Sequence, residues 1–300
     1  MSFSADPMIA GLIARLQTQP SHTGSLIVTI FGDAVLPRGG EIALSSLLSL
    51  CADLGVAPGV VRTAMSRLAA DGWFTSCRAG RASFYRIAAT RRGEMIRASR
   101  HIFGPARRPD VTQLNLVFTE GNDWLRARLG RLGFVAWQGV MIAPQRPLPP
   151  SLAQTAPMLT AAGDAASLRQ VAAKAWRLED LAARYQSFLT TYHGLAARAP
   201  ALPPREALAA RILLVHDFRR IALRDPRLPA ALLAQDWPGH AARQLCAMIY
   251  PALRDAAEAR LDEIGATASG ALPQAEPDFV ARFTNEARVG EKISPSATKY

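Results

Sequence analysis

A helix predicted over residues 58–71 carries arginines and hydroxyls on one face. Placing successive residues about 100° apart puts the small and polar ones within one arc: Gly59, Arg62, Thr63, Ser66, Arg67 and Ala70. The opposite face is apolar and holds Val61, Ala64, Met65 and Leu68. A guanidinium can bind guanine bidentately and a hydroxyl can bind phosphate or a base, so the polar face suits a helix that enters the major groove of DNA. Taken alone, the pattern also fits an ordinary amphipathic helix with solvated charges.

A basic hairpin is predicted directly after this helix. Arg78 and Arg81 lie at a turn centred on Gly80, between predicted strands at residues 73–77 and 83–87. In this position a wing would contact phosphate or reach the minor groove. Further arginines extend the positive field: Arg86, Arg91, Arg92, Arg97, Arg100, Arg107 and Arg108. Helix and hairpin together favour a double-stranded DNA partner. The predicted DNA-binding residues are Arg62, Thr63, Ser66, Arg67, Arg78 and Arg81.

The positive charge is concentrated in the same part of the chain. The 300 residues hold 35 Lys and Arg against 24 Asp and Glu, a net charge of +11. Residues 58–108 alone hold eleven Arg and two acids, a net charge of +9. A surplus of this size points to a polyanionic partner. The aromatic residues of the segment are predicted to pack in the core rather than to stack on bases: Trp73, Phe74, Phe84 and Tyr85.

Catalytic and metal-binding patterns are missing from the sequence. The histidines show no HExxH spacing, no serine stands in a GxSxG elbow, and no glycine-rich phosphate loop follows a predicted strand. We therefore expect no catalytic residues, no metal and no cofactor, and a protein that is not an enzyme. The alternative is a ferredoxin-like metal-dependent nuclease, for which Asp110 is the sole nearby acidic ligand.

The cysteines and the hydropathy pattern bear on the compartment. Cys51, Cys77 and Cys246 lie far apart, so neither a disulfide framework nor a zinc site is expected. We expect all three to be reduced core residues. The uncharged apolar runs are far shorter than the roughly 20 residues of a membrane span, and the N-terminus has no signal-peptide pattern. These patterns predict a cytoplasmic protein with no membrane partner.

The order of the predicted elements indicates an α+β fold with three domains. Residues 20–104 contain helix, short strand, helix, helix and basic hairpin, the order of an N-terminal winged helix-turn-helix domain. Residues 109–175 contain strand, helix, two strands, helix and strand, the order of a central ferredoxin-like domain. Residues 176–264 form a C-terminal helical domain. Residues 265–300 are small, polar and proline-containing, and are expected to be a disordered tail.

The element boundaries are predicted from caps, prolines and periodicity. A helix is predicted at 8–16, ahead of the first domain. In the first domain, helices are predicted at 25–36, 45–54, 58–71 and 90–103, and a strand at 41–44. In the middle domain, strands are predicted at 111–118, 134–137, 139–143 and 167–172, and helices at 122–132 and 149–162. In the C-terminal domain, helices are predicted at 178–195, 205–224 and 239–264.

Three blocks of the chain resemble one known family, the PaaX family of phenylacetic acid degradation repressors. The N-terminal domain of that family is similar to residues 25–74, SLIVTIFGDAVLPRGGEIALSSLLSLCADLGVAPGVVRTAMSRLAADGWF. The signature of its C-terminal domain is similar to residues 213–239, LLVHDFRRIALRDPRLPAALLAQDWPG, and the helix that opens that domain to residues 176–189, WRLEDLAARYQSFL. The resemblance covers residues 20–262 and is weakest at 144–175.

The resemblance implies a winged-helix DNA-binding domain, a central ferredoxin-like domain similar in fold to a CRISPR-associated nuclease, and a helical C-terminal domain. It also implies repression of aromatic catabolic genes by a homodimer, relieved by an aryl-CoA effector such as phenylacetyl-CoA. A single recognition helix per chain agrees with a twofold dimer on an inverted-repeat operator. A different acyl-CoA and a free aromatic acid are the alternative effectors.

A candidate effector site lies in the C-terminal helical region. His216, Arg220 and Arg224 share one stripe of the predicted helix 205–224. The phosphates of a CoA thioester need cationic contacts, and aromatic residues flank this stripe. The predicted effector-binding residues are Tyr192, His216, Arg220, Arg224 and Trp237. The competing interpretation is structural, because Arg219 lies among apolar residues and is expected to pair with Glu179, Asp180 or Asp225.

Overall fold

The computed structural model describes residues 6–18, 23–105 and 112–283. The chain divides into two compact units. The first unit comprises residues 1–105, 188–222 and 242–300, and the second comprises residues 106–187 and 223–241. The predicted domain boundaries at residues 176 and 264 do not coincide with these divisions.

The elements run in chain order as follows. The helices are α1 (Pro7–Thr18), α2 (Thr23–Ile30), α3 (Leu44–Asp53), α4 (Pro58–Ala70), α5 (Ala89–Phe103), α6 (Asp123–Arg131), α7 (Pro150–Ala153), α8 (Ala165–Ala175), α9 (Leu178–Tyr192), α10 (Leu195–Arg198), α11 (Pro204–Ala222), α12 (Pro238–Ile264) and α13 (Pro277–Val280). Turns of other helix types lie at Phe31–Val35, Leu36–Arg38, Ala199–Ala201 and Ala230–Leu232. The strands are β1 (Glu41–Ala43), β2 (Phe74–Ala79), β3 (Ala82–Ile87), β4 (Leu114–Phe118), β5 (Val135–Trp137), β6 (Val140–Pro144), β7 (Met158–Ala161), β8 (Ala266–Thr267) and β9 (Gly270–Ala271). No helix in these described stretches has the length and apolarity that a membrane span requires.

The first unit contains a three-stranded antiparallel sheet in the order β1-β3-β2. Helix α4 packs against α2, α3 and β2, and α3 packs against β3. The rings of Phe31 and Phe74 lie 4.2 Å apart in the core. The predicted helices at 45–54 and 58–71 and both hairpin strands are confirmed with small shifts of their ends. The helix predicted at 25–36 changes character, because α2 ends at Ile30 and is followed by a wider turn at Phe31–Val35.

Helix α11 is buried on almost every side. It packs against α1, α2, α3 and α5, so residues distant in sequence share one core. Leu208, Ile212 and Val215 are buried there, and so are the charged Arg211 and the polar His216. Burial all round the helix explains why residues 188–222 belong to the same unit as the N-terminal elements.

The second unit contains a four-stranded antiparallel sheet in the order β5-β6-β4-β7. Its core is formed by side chains of the sheet, of α6 and of α7. These core residues are Val117, Leu125, Leu129, Phe134, Met141, Ala143 and Leu152.

Two predicted elements of this unit were wrong. The helix expected at 149–162 is the short α7 followed by strand β7, and the strand expected at 167–172 lies inside helix α8. Asp164 caps α8 by accepting hydrogen bonds from the backbone N–H groups of Ala166 and Ser167, both at 2.9 Å. The alanines of α8 have high helix propensity. Leu168 and Ala172 are buried four residues apart on one face, which also stabilises the helix.

The expected disordered tail is also corrected. Residues 266–271 form the β8–β9 hairpin, and Phe279, Arg282 and Phe283 are buried in the first unit. The ring of Phe283 packs against Phe103 and Tyr250, each with a centroid distance of 5.4 Å. The small residues and prolines of residues 265–283 therefore connect side chains that are buried in the first unit. The remainder of the expected tail, residues 284–300, lies outside the described residues.

The three cysteines do not share one environment. Cys51 and Cys246 are buried as expected, but Cys77 is exposed on β2. Its position on the strand explains the difference, because only Phe74 of β2 is buried. Burial raises the pKa of the Cys51 thiol to about 12, which keeps it protonated.

Candidate DNA-binding surface

Helix α4 separates a buried face from an open one. Val61 and Met65 are fully buried, whereas Arg62, Ser66 and Arg67 are exposed. Pro58 occupies the first turn, where its missing N–H costs no hydrogen bond, and Gly72 ends the helix with a left-handed φ of 70°. The sequence thus fixes both ends of the helix and presents its polar face to solvent.

Two residues on this face refine its chemistry. The hydroxyl of Thr63 is exposed but donates to the carbonyl of Gly59 at 3.0 Å, so its remaining capacity is to accept a hydrogen bond. Val60 is 50% exposed, and an apolar group at this point suits the methyl group of thymine. Sequence reasoning placed Val60 on neither face, although a spacing of about 100° per residue puts it beside Arg67 at the edge of the open face.

The basic hairpin has the predicted form. Strands β2 and β3 pair from Phe74 opposite Ile87 to Ala79 opposite Ala82, which leaves Gly80 and Arg81 as a two-residue turn. Gly80 has a φ of 59°, a conformation that glycine adopts without strain. Arg78 and Arg81 are both exposed at this tip.

The four predicted arginines of helix and hairpin carry uncompensated charge. Arg62, Arg67, Arg78 and Arg81 form no ion pair with any residue that the structure describes. A guanidinium without a protein partner retains all its donors for an incoming anion. Chain folding thus leaves a cationic surface that a polyanion can neutralise.

Other arginines expected to extend the positive field have different surroundings. Arg86 donates to Glu41 at 2.6 Å across the β1–β3 pair, and Arg91 pairs with Glu94 and lies over the ring of Trp73. Arg92, Arg97 and Arg100 are exposed on α5. Arg107 and Arg108 lie outside the described residues. The pairing of Arg86 could not be read from the sequence, because Glu41 is 45 residues away.

The aromatic residues near the hairpin are packing residues, as predicted. Phe74 and Phe84 are buried, and Trp73 and Tyr85 are half-buried. The buried rings of Phe74 and Phe84 cannot stack on bases, whereas Trp73 and Tyr85 keep part of their surface exposed.

The predicted effector residues of the first unit are held by internal contacts. Tyr192 is fully buried and donates its hydroxyl to Asp217 at 2.8 Å, and burial followed by the charge of Asp217 raises the pKa of Tyr192. His216 is buried with its Nδ1 2.9 Å from the hydroxyl of Thr29. These two residues help to join α11 to α2 and α9 in the fold.

Arg219 has neutral partners rather than the expected acids. Its Nε donates to Thr29 at 2.7 Å and its Nη2 donates to the carbonyl of Ser25 at 2.7 Å. Burial, with the neighbouring charge of Arg220, lowers the pKa of Arg219 to about 10. The expectation of an ion pair with Glu179, Asp180 or Asp225 is therefore wrong.

The predicted helical stripe is broken before Arg224. Helix α11 ends at Ala222, and Pro226 cannot extend it because proline has no N–H to donate to the Ala222 carbonyl. Arg224 is exposed in the second unit. In the same unit Trp237 is buried edge-to-face against Tyr185, and its indole Nε1 has no acceptor among the described residues.

Among the residues described, no three His, Cys, Asp or Glu side chains are grouped so that they could hold a metal ion. Asp110, the candidate ligand of the nuclease alternative, lies outside the described residues.

Comparison with known proteins identifies the family. The model of PaaX-like proteins matches residues 22–91, and the model of the PaaX-like protein C-terminal domain matches residues 176–263. The chain is also 34% identical over 288 residues to the transcriptional repressor PaaX of Escherichia coli strain K12, which covers 88% of this chain and 90% of that protein. The chain belongs to the PaaX family.

The two matched stretches contain the residues singled out above. The first PaaX-like stretch includes α4 and the β2–β3 hairpin with all the predicted DNA-binding residues, and the second includes the predicted effector residues. Among solved structures, an uncharacterised protein from Mycobacterium tuberculosis is similar with a TM-score of 0.45 and 25% identity, covering 72% of this chain and 90% of that one.

Proposed function

We propose that this PaaX family member is a DNA-binding transcriptional repressor of a phenylacetate-type aromatic catabolic operon, and not an enzyme. The 34% identity to the transcriptional repressor PaaX supports the regulatory role. The observation that carries it is the open face of α4, where Arg62 and Arg67 are exposed and have no acidic partner in the described chain. Such a face is complementary to the edges of base pairs in a major groove.

We assign DNA reading to a winged helix-turn-helix made of α2, α3, α4 and the β1-β3-β2 sheet. The order of these elements and the exposed Arg78 and Arg81 at the hairpin tip support this assignment. We also propose that β4 to β7 form a ferredoxin-like domain. The strand order β5-β6-β4-β7 and the sequence strand, helix, strand, strand, helix, strand support it.

Specific binding to duplex DNA tests the regulatory proposal. Fluorescence anisotropy should find tighter binding to duplexes from the promoters of the flanking genes than to a scrambled duplex, by about a thousandfold or more. The double variant Arg62→Ala, Arg67→Ala should lose this preference, because the base contacts come from α4. The variant Arg128→Ala, Arg131→Ala on α6 removes the same charge from exposed positions of the second unit and should keep it. Equal wild-type affinity for both duplexes would contradict the proposal.

The homodimer on an inverted repeat belongs to the same proposal. One recognition helix per chain reads one half-site, so a palindromic operator requires two chains. Sedimentation of the operator complex should give two chains per duplex. A single chain on each duplex at saturation would show that the protein reads its site as a monomer.

We further propose that an aryl-CoA thioester such as phenylacetyl-CoA weakens operator binding. Arg220, Arg224 and Trp237 are predicted to contact this ligand. The indole N–H of Trp237 has no acceptor among the described residues, so it offers the ligand one hydrogen-bond donor. Titration of a labelled operator complex with phenylacetyl-CoA, phenylacetate and CoA separates the effector classes. Release by phenylacetate alone would discard the thioester.

A further inference from the structure

A cleft of about 440 Å³ lies in the first unit beside helix α5. One wall is a single face of α5, and the other is formed by the turn at Leu36 and Pro37 and by the segment around α13. The cleft is distinct from the open face of α4 and from every residue of the predicted effector site. Nothing in the proposed function accounts for it.

The floor of the cleft is apolar. Leu36 and Ile96 are half-buried there. Phe103 and Phe279 are buried, and the Arg282 guanidinium lies 4.0 Å from the ring centroid of Phe103 and 5.0 Å from that of Phe279. Phe103 is fixed by ring contacts with Tyr250 at 5.8 Å and with Phe283 at 5.4 Å. A ring or acyl chain placed on this floor would lose water from the face that contacts it.

The rim of the cleft is cationic. Arg92 and Arg100 are eight residues apart on α5, which puts them on one face about 12 Å apart along the helix axis. Both are exposed, and neither has an acidic partner within the described chain. The described lining contains one acid, the exposed Glu276. A third arginine of the lining, Arg282, is already committed to the carbonyl of Gly32 and the carboxylate of Asp33.

We propose that this cleft binds a small organic anion with an apolar body, such as an aryl carboxylate or an acyl thioester of a phosphorylated carrier. The apolar part would lie on Leu36 and Ile96, and the anionic groups would accept hydrogen bonds from Arg92 and Arg100. If the anion is the effector of the repressor, the cleft is the effector site, and this step rests on the proposed function. Arg92 and Arg100, rather than Arg220 and Arg224, would then bind the anionic groups of the effector.

The position of the cleft connects it to the DNA-binding surface. Helix α5 begins two residues after strand β3 of the basic hairpin ends, so its axis and the hairpin cannot move independently. The opposite wall is held by the hydrogen bond from Glu276 N–H to the Pro37 carbonyl at 2.8 Å. An anion that touches both walls would bias the orientation of α5, and with it that of the hairpin.

Isothermal titration of the full chain without DNA tests the cleft directly. The probes are phenylacetyl-CoA, phenylacetate and CoA, and the variants are Arg92→Gln, Arg100→Gln, Arg97→Gln and Arg220→Gln. Arg97 is the matched control, because it is an exposed arginine on α5 that does not line the cleft. We expect Arg92→Gln and Arg100→Gln to raise the dissociation constant of the bound probe about tenfold or more, the loss of a charge-assisted hydrogen bond. Arg97→Gln should leave it unchanged.

Each other outcome overturns the proposal. A probe that binds wild type and all α5 variants equally, or that is weakened by Arg220→Gln alone, would place the ligand elsewhere. No binding of any probe to wild type would also reject the cleft as this site. If the three α5 variants instead weaken operator binding alike and leave probe binding unchanged, these arginines contact DNA phosphates.

Failure of wild type to prefer operator DNA would refute the proposed function, whereas the titration without DNA would still decide whether the cleft holds an anion.

Discussion

Single arginines of this protein differ in function because of their partners. Arg78 and Arg86 lie on the two strands of one hairpin, and both are exposed. Arg86 is bonded to Glu41, whereas Arg78 has no acidic partner in the described chain. An arginine already neutralised by a carboxylate releases fewer counterions when DNA approaches.

The salt dependence of DNA binding should separate these two residues. We expect Arg78→Ala to reduce the slope of log affinity against log salt by about one unit, as for the loss of one phosphate contact. Arg86→Ala should change the slope less, because its charge is compensated by Glu41. Anisotropy titrations over a series of salt concentrations measure both slopes. Equal losses in the two variants would mean that the ion pair opens on DNA.

Residue exposure was predictable from the sequence where one helix decides it. The helical periodicity of α4 correctly placed Val61 and Met65 in the core and Arg62 and Arg67 in solvent. Partners across the fold were not predictable, as the neutral contacts of Arg219 demonstrate. Periodicity reports which face is buried, but it carries no information about which distant side chain meets it.

At the scale of elements, strand β1 is tied to two neighbours through one carboxylate. Glu41 accepts from the backbone N–H of Ala268 at 3.0 Å and from Arg86 at 2.6 Å. The Ala268 hydrogen bond first and Arg86 second hold the pKa of Glu41 below its usual value of 4.5, against the opposing effect of burial. The β8–β9 hairpin is therefore fastened to the sheet by a charged group.

Acid should weaken the hydrogen bonds that the Glu41 carboxylate accepts from Ala268 and Arg86. Because the pKa of Glu41 is lower in the folded chain than in the unfolded chain, its contribution to stability is full above pH 4.5 and is lost as the pH falls through the folded value. Glu41→Gln should lower stability at neutral pH and flatten its decline below pH 4.5. Urea unfolding on both sides of that pH measures the change. Parallel pH profiles for wild type and variant would show that Glu41 is not the linked group.

The C-terminal segment from residue 266 is the element that the sequence predicted least well. Its few apolar residues gave no periodic pattern, yet Phe279 and Phe283 are buried against aromatic rings of α5, α11 and α12. Arg282 adds hydrogen bonds to the backbone and carboxylate of Asp33. Isolated anchors of this kind depend on a surface built by distant residues, so local composition cannot reveal them.

Truncation of one anchor tests the segment. Phe283→Ala should lower the free energy of unfolding by about 3–5 kcal/mol, because a buried ring is lost from an aromatic cluster. Met248→Ala is the control, since Met248 is 59% exposed on α12, and a surface change of this kind should stay within about 0.5 kcal/mol. Chemical denaturation measures both. Equal stability of Phe283→Ala and wild type would restore the interpretation of residues beyond 265 as a tail.

At the scale of the whole molecule, chain order and compact units diverge. The sequence predicted three consecutive domains, but residues 188–222 and those from 242 belong to the unit that contains the N-terminal elements. Buried ion pairs join these distant stretches, as Arg211 of α11 bonds to Asp33 at 3.0 Å and to Glu258 of α12 at 2.6 Å. The winged elements therefore share a core with α11 and α12, and a ligand bound to that core can reach them through packed side chains.

Effector and operator should accordingly antagonise each other by the same factor. A coupling free energy of about 1–3 kcal/mol corresponds to a loss of operator affinity of about 5–150 times when phenylacetyl-CoA saturates the protein. Linkage then requires saturating operator to lower phenylacetyl-CoA affinity equally, because both ligands act on one equilibrium. Anisotropy with labelled operator measures the first factor, and calorimetry on the preformed complex measures the second. The scrambled duplex at equal salt is the control for simple charge competition, and it should shift phenylacetyl-CoA affinity far less. The same shift with scrambled duplex would mean that the two ligands compete for arginines rather than select between two conformations.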